Sequence, residues 1–163
     1  MFKTGIGYDV HRLVKGRRLF LGGVEIANEK GLEGHSDADV VLHAICDAIL
    51  GALGKGDIGE HFPNTDSKYR GIASLKLLEQ VYRLLRKEDY VVGNVDVVVL
   101  AEEPKLKAHK PMMKTRIAKT LKIDESSVNI KATTTEGLGA VGRKEGISAY
   151  AAVLLRKRGR KKI

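Results

Sequence analysis

The sequence has few of the features that by themselves place a chain in a particular class of protein. Its 163 residues include one cysteine, Cys46, which excludes an internal disulfide. No stretch approaches the roughly 20 apolar residues that a membrane-spanning helix requires, and the first residues contain no apolar signal region. We therefore expect no membrane partner and a location in the cytoplasm, or in the plastid stroma if a transit peptide was removed.

The net charge of +9 is unevenly distributed. Six of the 29 basic residues lie at the carboxyl end, and without them the balance is 23 basic against 20 acidic residues. We predict a single domain over residues 1–155 and a basic tail over 156–163. The tail has no aromatic residue on which bases could stack, so we favour a solvated end and expect no nucleic-acid partner. The alternative, a nucleic-acid-binding module, predicts that deleting 156–163 abolishes binding, whereas an enzyme would keep its turnover.

The hydrophobic pattern predicts one α/β (α+β) domain without repeats or linkers. With 43% apolar residues, the chain can bury a core. Apolar residues at helical spacing predict three helices, and β-branched apolar runs predict strands. The first strand is expected to pair with the next one in a β-hairpin. The predicted strands are 2–13, 19–24, 90–101, 128–132 and 147–155, and the predicted helices are 37–53, 74–87 and 112–121.

Asp9 and His11 lie two residues apart in the first predicted strand, so their side chains point to the same side. His43 lies in a predicted helix that is otherwise mostly apolar. A carboxylate and two imidazoles match a catalytic zinc site, which uses three protein ligands and leaves one position open. The D-x-H spacing alone is common, so the prediction depends on these surroundings. A structural zinc site is the alternative, but it would be closed by four ligands, and the single cysteine argues against it.

Asp39, His43 and Asp47 are spaced four apart and form one stripe along the same helix. Ionisable groups on a buried helix need partners, because unpaired burial costs several kcal/mol. A metal on His43, with a carboxylate holding the other imidazole nitrogen, would supply them. A solvent-facing stripe is the alternative. Just before the stripe, Ser36 or Asp37 is expected to cap the helix.

Further candidate phosphate-binding groups lie near predicted element ends. His35 and Ser36, before the helix, can face a substrate phosphate or hydroxyl. Residues Thr133–Glu136 leave a strand and enter a glycine-rich segment, where hydroxyls and amides bind phosphate oxygens well, although a threonine-rich strand is the alternative. Glu136 could hold Mg²⁺ together with such phosphates. The segment Glu102–Lys105 is either a surface turn or the wall of a nucleotide pocket.

Taken together, these segments closely resemble the 2-C-methyl-D-erythritol 2,4-cyclodiphosphate synthases of the non-mevalonate isoprenoid pathway. The matching segments occur in the family order and run almost from end to end of the chain. They are Gly5–His11, Gly34–His43, Gly56–Pro63, Gly93–Asp96, Pro104–Lys105, Lys131–Glu136 and Gly142–Gly146.

The resemblance implies a lyase reaction. The substrate would be 4-diphosphocytidyl-2-C-methyl-D-erythritol 2-phosphate, whose 2-phosphate attacks the β-phosphorus, closes a cyclic diphosphate and expels CMP. The family's zinc would be held by Asp9, His11 and His43 and would polarise the β-phosphate. A second ion, Mg²⁺ or Mn²⁺, would lie beside Glu136.

The resemblance also assigns residues to the substrate. His35 and Thr134 would stabilise the transition state, the loop 57–66 would hold the methylerythritol hydroxyls and close over them, and residues 101–107 would form the cytidine pocket. The implied substrate contacts are Asp9, Val10, His11, His35, Ser36, Asp57, Ile58, Gly59, Phe62, Pro63, Asn64, Thr65, Asp66, Ala101, Glu102, Glu103, Pro104, Lys105, Leu106, Lys107, Thr133, Thr134, Thr135, Glu136, Ala140 and Arg143.

The fold that the resemblance implies is a mixed four-stranded sheet covered by helices on one face, with a small N-terminal hairpin. It forms a homotrimer whose sites lie between subunits. Family members often have an aromatic residue and an acidic residue where this chain has Ala140 and Tyr150. With Arg143, these positions line a cavity on the trimer axis, and their different lining argues against binding of an isoprenoid diphosphate there. Asn64 replaces a frequent aspartate, for which we expect a modest effect, because both side chains accept hydrogen bonds.

Overall fold

The computed structural model describes residues 1–159 as a mixed α+β fold. The end of the predicted basic tail, residues 160–163, lies outside them. The strands are β1 (Phe2–Lys15), β2 (Leu19–Leu21), β3 (Val24–Ile26), β4 (Lys30–Leu32), β5 (Tyr90–Leu100), β6 (Val128–Thr133) and β7 (Gly146–Lys157). The helices are α1 (Val40–Leu53), α2 (Ile58–His61), α3 (Ser74–Lys87), α4 (Lys110–Leu121) and α5 (Gly139–Gly142), with 3₁₀ turns at Ser67–Tyr69 and Glu125–Ser127.

The main sheet has the strand order β4-β1-β7-β5-β6. Both β1 and β5 pair antiparallel with β7, whereas β5 and β6 run parallel, so the sheet is mixed, as predicted. It has five strands rather than four because the short β4 joins its edge, with Leu32 opposite Leu13. A three-residue strand is too short to show a period of two in the sequence.

The predicted pairing of the first strand with the one that follows it is wrong. β1 pairs instead with β7, from Phe2 opposite Arg156 to Arg12 opposite Gly146. A strand of 14 residues satisfies its backbone groups against the 12 residues of β7 far better than against the three of β2. A small hairpin does lie near the N-terminus, but β2 and β3 form it.

Helix α1 lies in the centre of the core, against β1 and β7. Most of its side chains are buried, including Cys46, as predicted. A Cβ atom on Gly5 or Gly7 of β1 would lie 1.9 Å from the carbonyl oxygens of Ala48 or Ala44. These two glycines therefore allow the close approach between the strand and the helix that carry the predicted zinc ligands.

Helix α1 begins at Val40, three residues later than predicted. Neither Ser36 nor Asp37 caps it. The N-cap is Asp39, whose Oδ1 accepts hydrogen bonds from two amides of the first helical turn, each 3.1 Å away. The bounds of α3 agree with the prediction, and β7 extends two residues into the predicted tail.

The helices cover one face of the sheet, as predicted. The opposite face leaves large apolar side chains exposed on β1 and β7, namely Phe2, Ile6, Tyr8, Val10 and Tyr150. Within residues 1–159, no helix has both the length and the apolar character needed to cross a membrane.

Candidate active site

Strand β1 and helix α1 bring one oxygen and two nitrogen atoms to the same point. Asp9 Oδ2 lies 2.9 Å from His11 Nε2 and 2.9 Å from His43 Nδ1. The two nitrogens are 3.2 Å apart. In the part of the chain that the structure describes, these three side chains form the one group with ligand atoms so placed for a metal ion.

The spacing of these atoms fits zinc. Ligand atoms at about 2.0–2.1 Å from a tetrahedral ion lie roughly 3.3 Å from one another, close to the 2.9–3.2 Å separations of the three atoms. Carboxylate oxygen and imidazole nitrogen are also the ligands of catalytic zinc sites, which keep a fourth position for water or substrate. The residues therefore fit the predicted ion.

The other nitrogen of each imidazole has a partner of its own. His11 Nδ1 lies 2.7 Å from the carbonyl oxygen of Glu33 and donates its proton to it. His43 Nε2 lies 2.9 Å from Ser74 Oγ and 3.2 Å from Ser36 Oγ. With the protons on these nitrogens, His11 Nε2 and His43 Nδ1 keep the lone pairs that metal ligation requires.

The electrostatics of this cluster favour an ionised Asp9 beside a protonated His11 imidazole. Without an ion, His11 Nε2 and His43 Nδ1 can carry protons and donate them to Asp9. Burial alone would raise the pKa of Asp9, but these hydrogen bonds hold it well below its usual range. Burial also opposes protonation of His11, yet the hydrogen bond to Asp9 raises the pKa of the imidazole overall. A proton therefore competes with a metal ion for this place.

Asp39 and Asp47 do not hold the imidazole of His43, and this part of the stripe prediction is wrong. Asp39 is fully buried and accepts hydrogen bonds from the amides of the turn Gly22–Gly23, at 2.9 and 2.7 Å. Asp47 Oδ1 accepts a hydrogen bond from the amide of Ile58 at 2.7 Å. The two carboxylates instead fix the loops on either side of α1.

A cavity of about 230 Å³ opens beside the ligand cluster. Its wall includes several residues predicted to contact substrate: His35, Ser36, Ile58, Gly59, Phe62 and Asn64. Four of the substrate contacts predicted in the loop 57–66 are absent from the wall: Asp57, Pro63, Thr65 and Asp66. Asp57 caps α2 and Asp66 caps the following 3₁₀ turn, each through its carboxylate.

A second cavity, of about 390 Å³, lies at the carboxyl ends of β5 and β6. It is lined by most of the residues predicted for cytidine, namely Ala101, Glu102, Pro104, Lys105, Leu106 and Lys107, together with Thr133 and Thr134. These segments meet because the two strands are parallel neighbours whose ends lie at one edge. Glu103 does not line this cavity and pairs with Lys144.

The two cavities have no lining residue in common. His35 lies in the wall of the first cavity and Thr134 in that of the second. Thr134 Oγ1 donates to Glu136 Oε1 at 3.0 Å, and the amide of Thr135 donates to Glu102 at 2.8 Å. One chain therefore does not bring the predicted catalytic pair, or Glu136, together with the zinc ligands.

Comparison with known proteins decides the family. The profile of the YgbB family matches residues 2–156. A Geotalea daltonii protein named 2-C-methyl-D-erythritol 2,4-cyclodiphosphate synthase is 60% identical over 156 residues, 96% of this chain and 91% of that protein. This chain belongs to the 2-C-methyl-D-erythritol 2,4-cyclodiphosphate synthase family. It is therefore an enzyme, a lyase of the non-mevalonate isoprenoid pathway.

Solved structures of the synthase family have the same fold. The bifunctional IspDF of Campylobacter jejuni superposes with a TM-score of 0.93 at 47% identity, covering 97% of this chain and 43% of that one. IspF of Plasmodium falciparum, solved as a CDP complex, gives a TM-score of 0.85 at 37% identity and covers 97% of both chains. The predicted resemblance and fold class are confirmed.

Four positions that the synthase resemblance assigns to the substrate or the trimer axis lie away from both cavities. Val10 and Ala140 border a separate depression, because Val10 points to the opposite face of β1 from its two ligand neighbours. Arg143 is exposed and forms an ion pair with a neighbouring glutamate. Tyr150 packs against Tyr8 on the uncovered sheet face, with ring centroids 4.6 Å apart.

Several residues at the synthase site are missing from the sequence-based prediction. Glu33 and Ser74 bind the outer nitrogens of the two imidazoles, and Tyr69, Ile72 and Leu77 line the first cavity. They reach the site through contacts between distant segments. The sequence around Ser74 signals only the start of a helix, so no local pattern could identify its role.

Proposed function

We propose that this enzyme converts 4-diphosphocytidyl-2-C-methyl-D-erythritol 2-phosphate into 2-C-methyl-D-erythritol 2,4-cyclodiphosphate and CMP. The proposal depends mainly on the meeting of Asp9, His11 and His43 beside a cavity, with ligand atoms 2.9–3.2 Å apart. This arrangement occurs in a chain that belongs to the synthase family.

The reaction is an intramolecular phosphoryl transfer. An oxygen of the 2-phosphate bonds to the β-phosphorus. The bond between the β-phosphorus and the oxygen bridging it to the α-phosphate breaks, and CMP leaves with that oxygen and its electron pair. Because no protein nucleophile is needed, the chain has to hold the attacking and leaving oxygens in line and neutralise their charge. Buried Cys46 takes no part in it.

Metal ions would neutralise most of that charge. Asp9, His11 and His43 would hold zinc, which when bound supplies Lewis-acid stabilisation of the β-phosphate oxygens. Glu136 would hold Mg²⁺ or Mn²⁺ together with the diphosphate, since a hard cation prefers carboxylate and phosphate oxygens.

The two cavities would each take one end of the substrate. The methylerythritol end would lie against the loop 57–66, where His35 binds a phosphate oxygen in the transition state. Cytidine would lie against residues 101–107, and Thr134 would bind phosphate from that side. The solved CDP complex of the Plasmodium falciparum relative supports a cytidine nucleotide as ligand.

A homotrimer would join the cavities of neighbouring subunits into complete sites. Support comes from the separation of the two cavities within one chain. The uncovered sheet face, with its exposed apolar side chains on β1 and β7, offers a surface on which three copies could pack around an axis. The cytoplasmic location predicted from the sequence is part of this proposal.

The test is product formation by the zinc-loaded enzyme, followed by ³¹P NMR. We expect wild type to produce CMP and two coupled phosphorus resonances of a cyclic diphosphate, and His43→Ala to lose about 100-fold or more in rate. His109→Ala serves as the matched control, because His109 lines neither cavity. No turnover by folded, zinc-loaded wild type would contradict the proposal.

A further inference from the structure

Behind the ligand cluster, one serine hydroxyl connects His43 to a carboxylate outside the cavity. His43 Nε2 lies 2.9 Å from Ser74 Oγ, and Ser74 Oγ donates its proton to Asp37 Oδ1. Ser74 is fully buried, and Asp37 is half-buried. The result is a continuous line of hydrogen bonds from a carboxylate through a hydroxyl to the imidazole.

The donors and acceptors of these two hydrogen bonds can be assigned in only one way. An ionised aspartate can only accept hydrogen bonds, and a serine hydroxyl has one proton to donate. Ser74 gives that proton to Asp37, so its oxygen accepts the hydrogen bond from His43. Nε2 of His43 therefore carries a proton, which leaves the Nδ1 lone pair for a metal ion. Without an ion, Nδ1 can hold a second proton, which Asp9 Oδ2 accepts at 2.9 Å.

Asp37 is itself held in place from several sides. Its Oδ2 accepts the amide of Ser74 at 3.0 Å, and its Oδ1 accepts the amide of Asp39 at 3.2 Å. Ser74 is the first residue of α3, and the N-cap Ala73 has no side-chain acceptor. Asp37 thus supplies the missing acceptor from another segment, at a helix end that favours negative charge. The backbone bond from Asp37 N to Ile72 O, 3.1 Å, fixes the two segments to each other.

We propose that Asp37 and Ser74 are positioning residues for His43. They hold its imidazole in the Nε2–H form, with the Nδ1 lone pair directed at the point where the three ligand atoms meet. The inference rests on the proposed zinc role of that cluster. Partners behind a ligating histidine typically change metal affinity about 10–100-fold.

The experiment compares tautomer and zinc affinity in three variants. Asp37→Asn lets the amide donate to Ser74, which frees the hydroxyl proton for His43 Nε2 and favours the competing Nδ1–H form. Ser74→Ala removes the nearest acceptor and leaves Ser36 Oγ at 3.2 Å, so its effect should be smaller. Asp39→Asn is the matched control, because it alters a buried carboxylate of the same segment that does not contact the imidazole.

The readouts are the imidazole ¹⁵N chemical shifts of His43 in the metal-free protein and zinc binding in competition with a chromophoric chelator. We expect Nε2 of His43 to carry a proton in wild type and in Asp39→Asn, and to lose it partly or wholly in Asp37→Asn. Zinc affinity should be about 10–100-fold lower in Asp37→Asn. Asp39→Asn should bind zinc within about threefold of wild type even though it unfolds more easily.

An unchanged tautomer together with wild-type zinc affinity in Asp37→Asn would overturn the proposal. If Asp37→Asn does not fold, the same two readouts on Ser74→Ala test the proposal. We expect zinc affinity to fall several-fold in that variant. Failure of the proposed function is distinguishable, because folded wild type would then form no cyclic diphosphate while the ¹⁵N shifts still report the state of His43.

Discussion

At the residue scale, Asp39 joins the turn Gly22–Gly23 to the first turn of α1. Its carboxylate accepts four backbone hydrogen bonds of 2.7–3.1 Å. Each donor left without a partner costs about 1 kcal/mol or more. We therefore expect Asp39→Ala to lower the free energy of unfolding by about 3–5 kcal/mol in urea titrations. Asp39→Asn keeps one acceptor oxygen and should lose less, and equal stability of Asp39→Ala and wild type would contradict this role.

The same carboxyl should make stability depend on pH. Burial raises the pKa of Asp39 from 3.8 to about 6. Between these values the folded protein holds a proton that the unfolded chain has released, so the contribution of this group to stability falls as the pH rises. The unfolding free energy of wild type minus that of Asp39→Asn should therefore decrease from about pH 4 to pH 6. A difference that stays flat or rises over this range would show that burial does not raise the pKa of Asp39.

At the scale of elements, the contact between β1 and α1 sets the distances among the ligand atoms. A Cβ on Gly7 would meet the backbone of Ala44 at 1.9 Å, and backbone cannot move aside cheaply. Gly7→Ala should lower the free energy of unfolding by about 3 kcal/mol, at the upper end of overpacking costs. Because the helix must shift, zinc affinity measured by chelator competition should also fall.

Gly51 provides the matched control on the same helix. Nothing lies within 4 Å of a Cβ atom added there, and alanine is the better helix former by about 0.5–1 kcal/mol. Gly51→Ala should therefore stabilise the protein by about that amount and leave zinc binding unchanged. If Gly7→Ala behaved like Gly51→Ala, the close approach of α1 to β1 would not matter for the site.

Local pattern explains which elements the sequence predicts correctly. The apolar stripe of α3 gives its bounds, because helical spacing is a property of neighbouring residues. The partner of β1 is more than 130 residues away in sequence, and the three-residue β4 carries no usable period. Pairing of this kind depends on the whole chain, so the hairpin prediction failed.

Local pattern likewise predicts only part of the candidate site. The meeting of Asp9, His11 and His43 could be predicted, since Asp9 and His11 share one side of a strand and His43 interrupts an apolar helix. Ser74 and Asp37 could not, because their roles exist only after α3 packs against the segment before α1. The separation of the two cavities also depends on tertiary packing, and the resemblance alone anticipated a divided site.

At the scale of the whole molecule, we predict that the uncovered face of the sheet holds the proposed homotrimer together. Ile6 on this face is 73% exposed, so a charge there would cost little in a lone subunit but would be buried in a trimer. We expect wild type to sediment with three times the 17.8 kDa chain mass and Ile6→Glu to sediment as a folded monomer. Met112→Glu, at an exposed apolar position on α4, should remain trimeric. A monomeric wild type at micromolar concentration would contradict the assembly.

The most direct test of the account mixes two impaired variants. His43→Ala removes a zinc ligand, and Thr134→Val removes a hydroxyl at the other cavity while keeping its shape. If each site is shared between subunits, random assembly of co-expressed chains leaves roughly a quarter of the sites with both halves intact. We predict that cyclic diphosphate formation, followed by ³¹P NMR, then recovers to roughly that fraction of the wild-type rate, far above either variant alone. A mixed trimer no more active than its two parents would contradict the account.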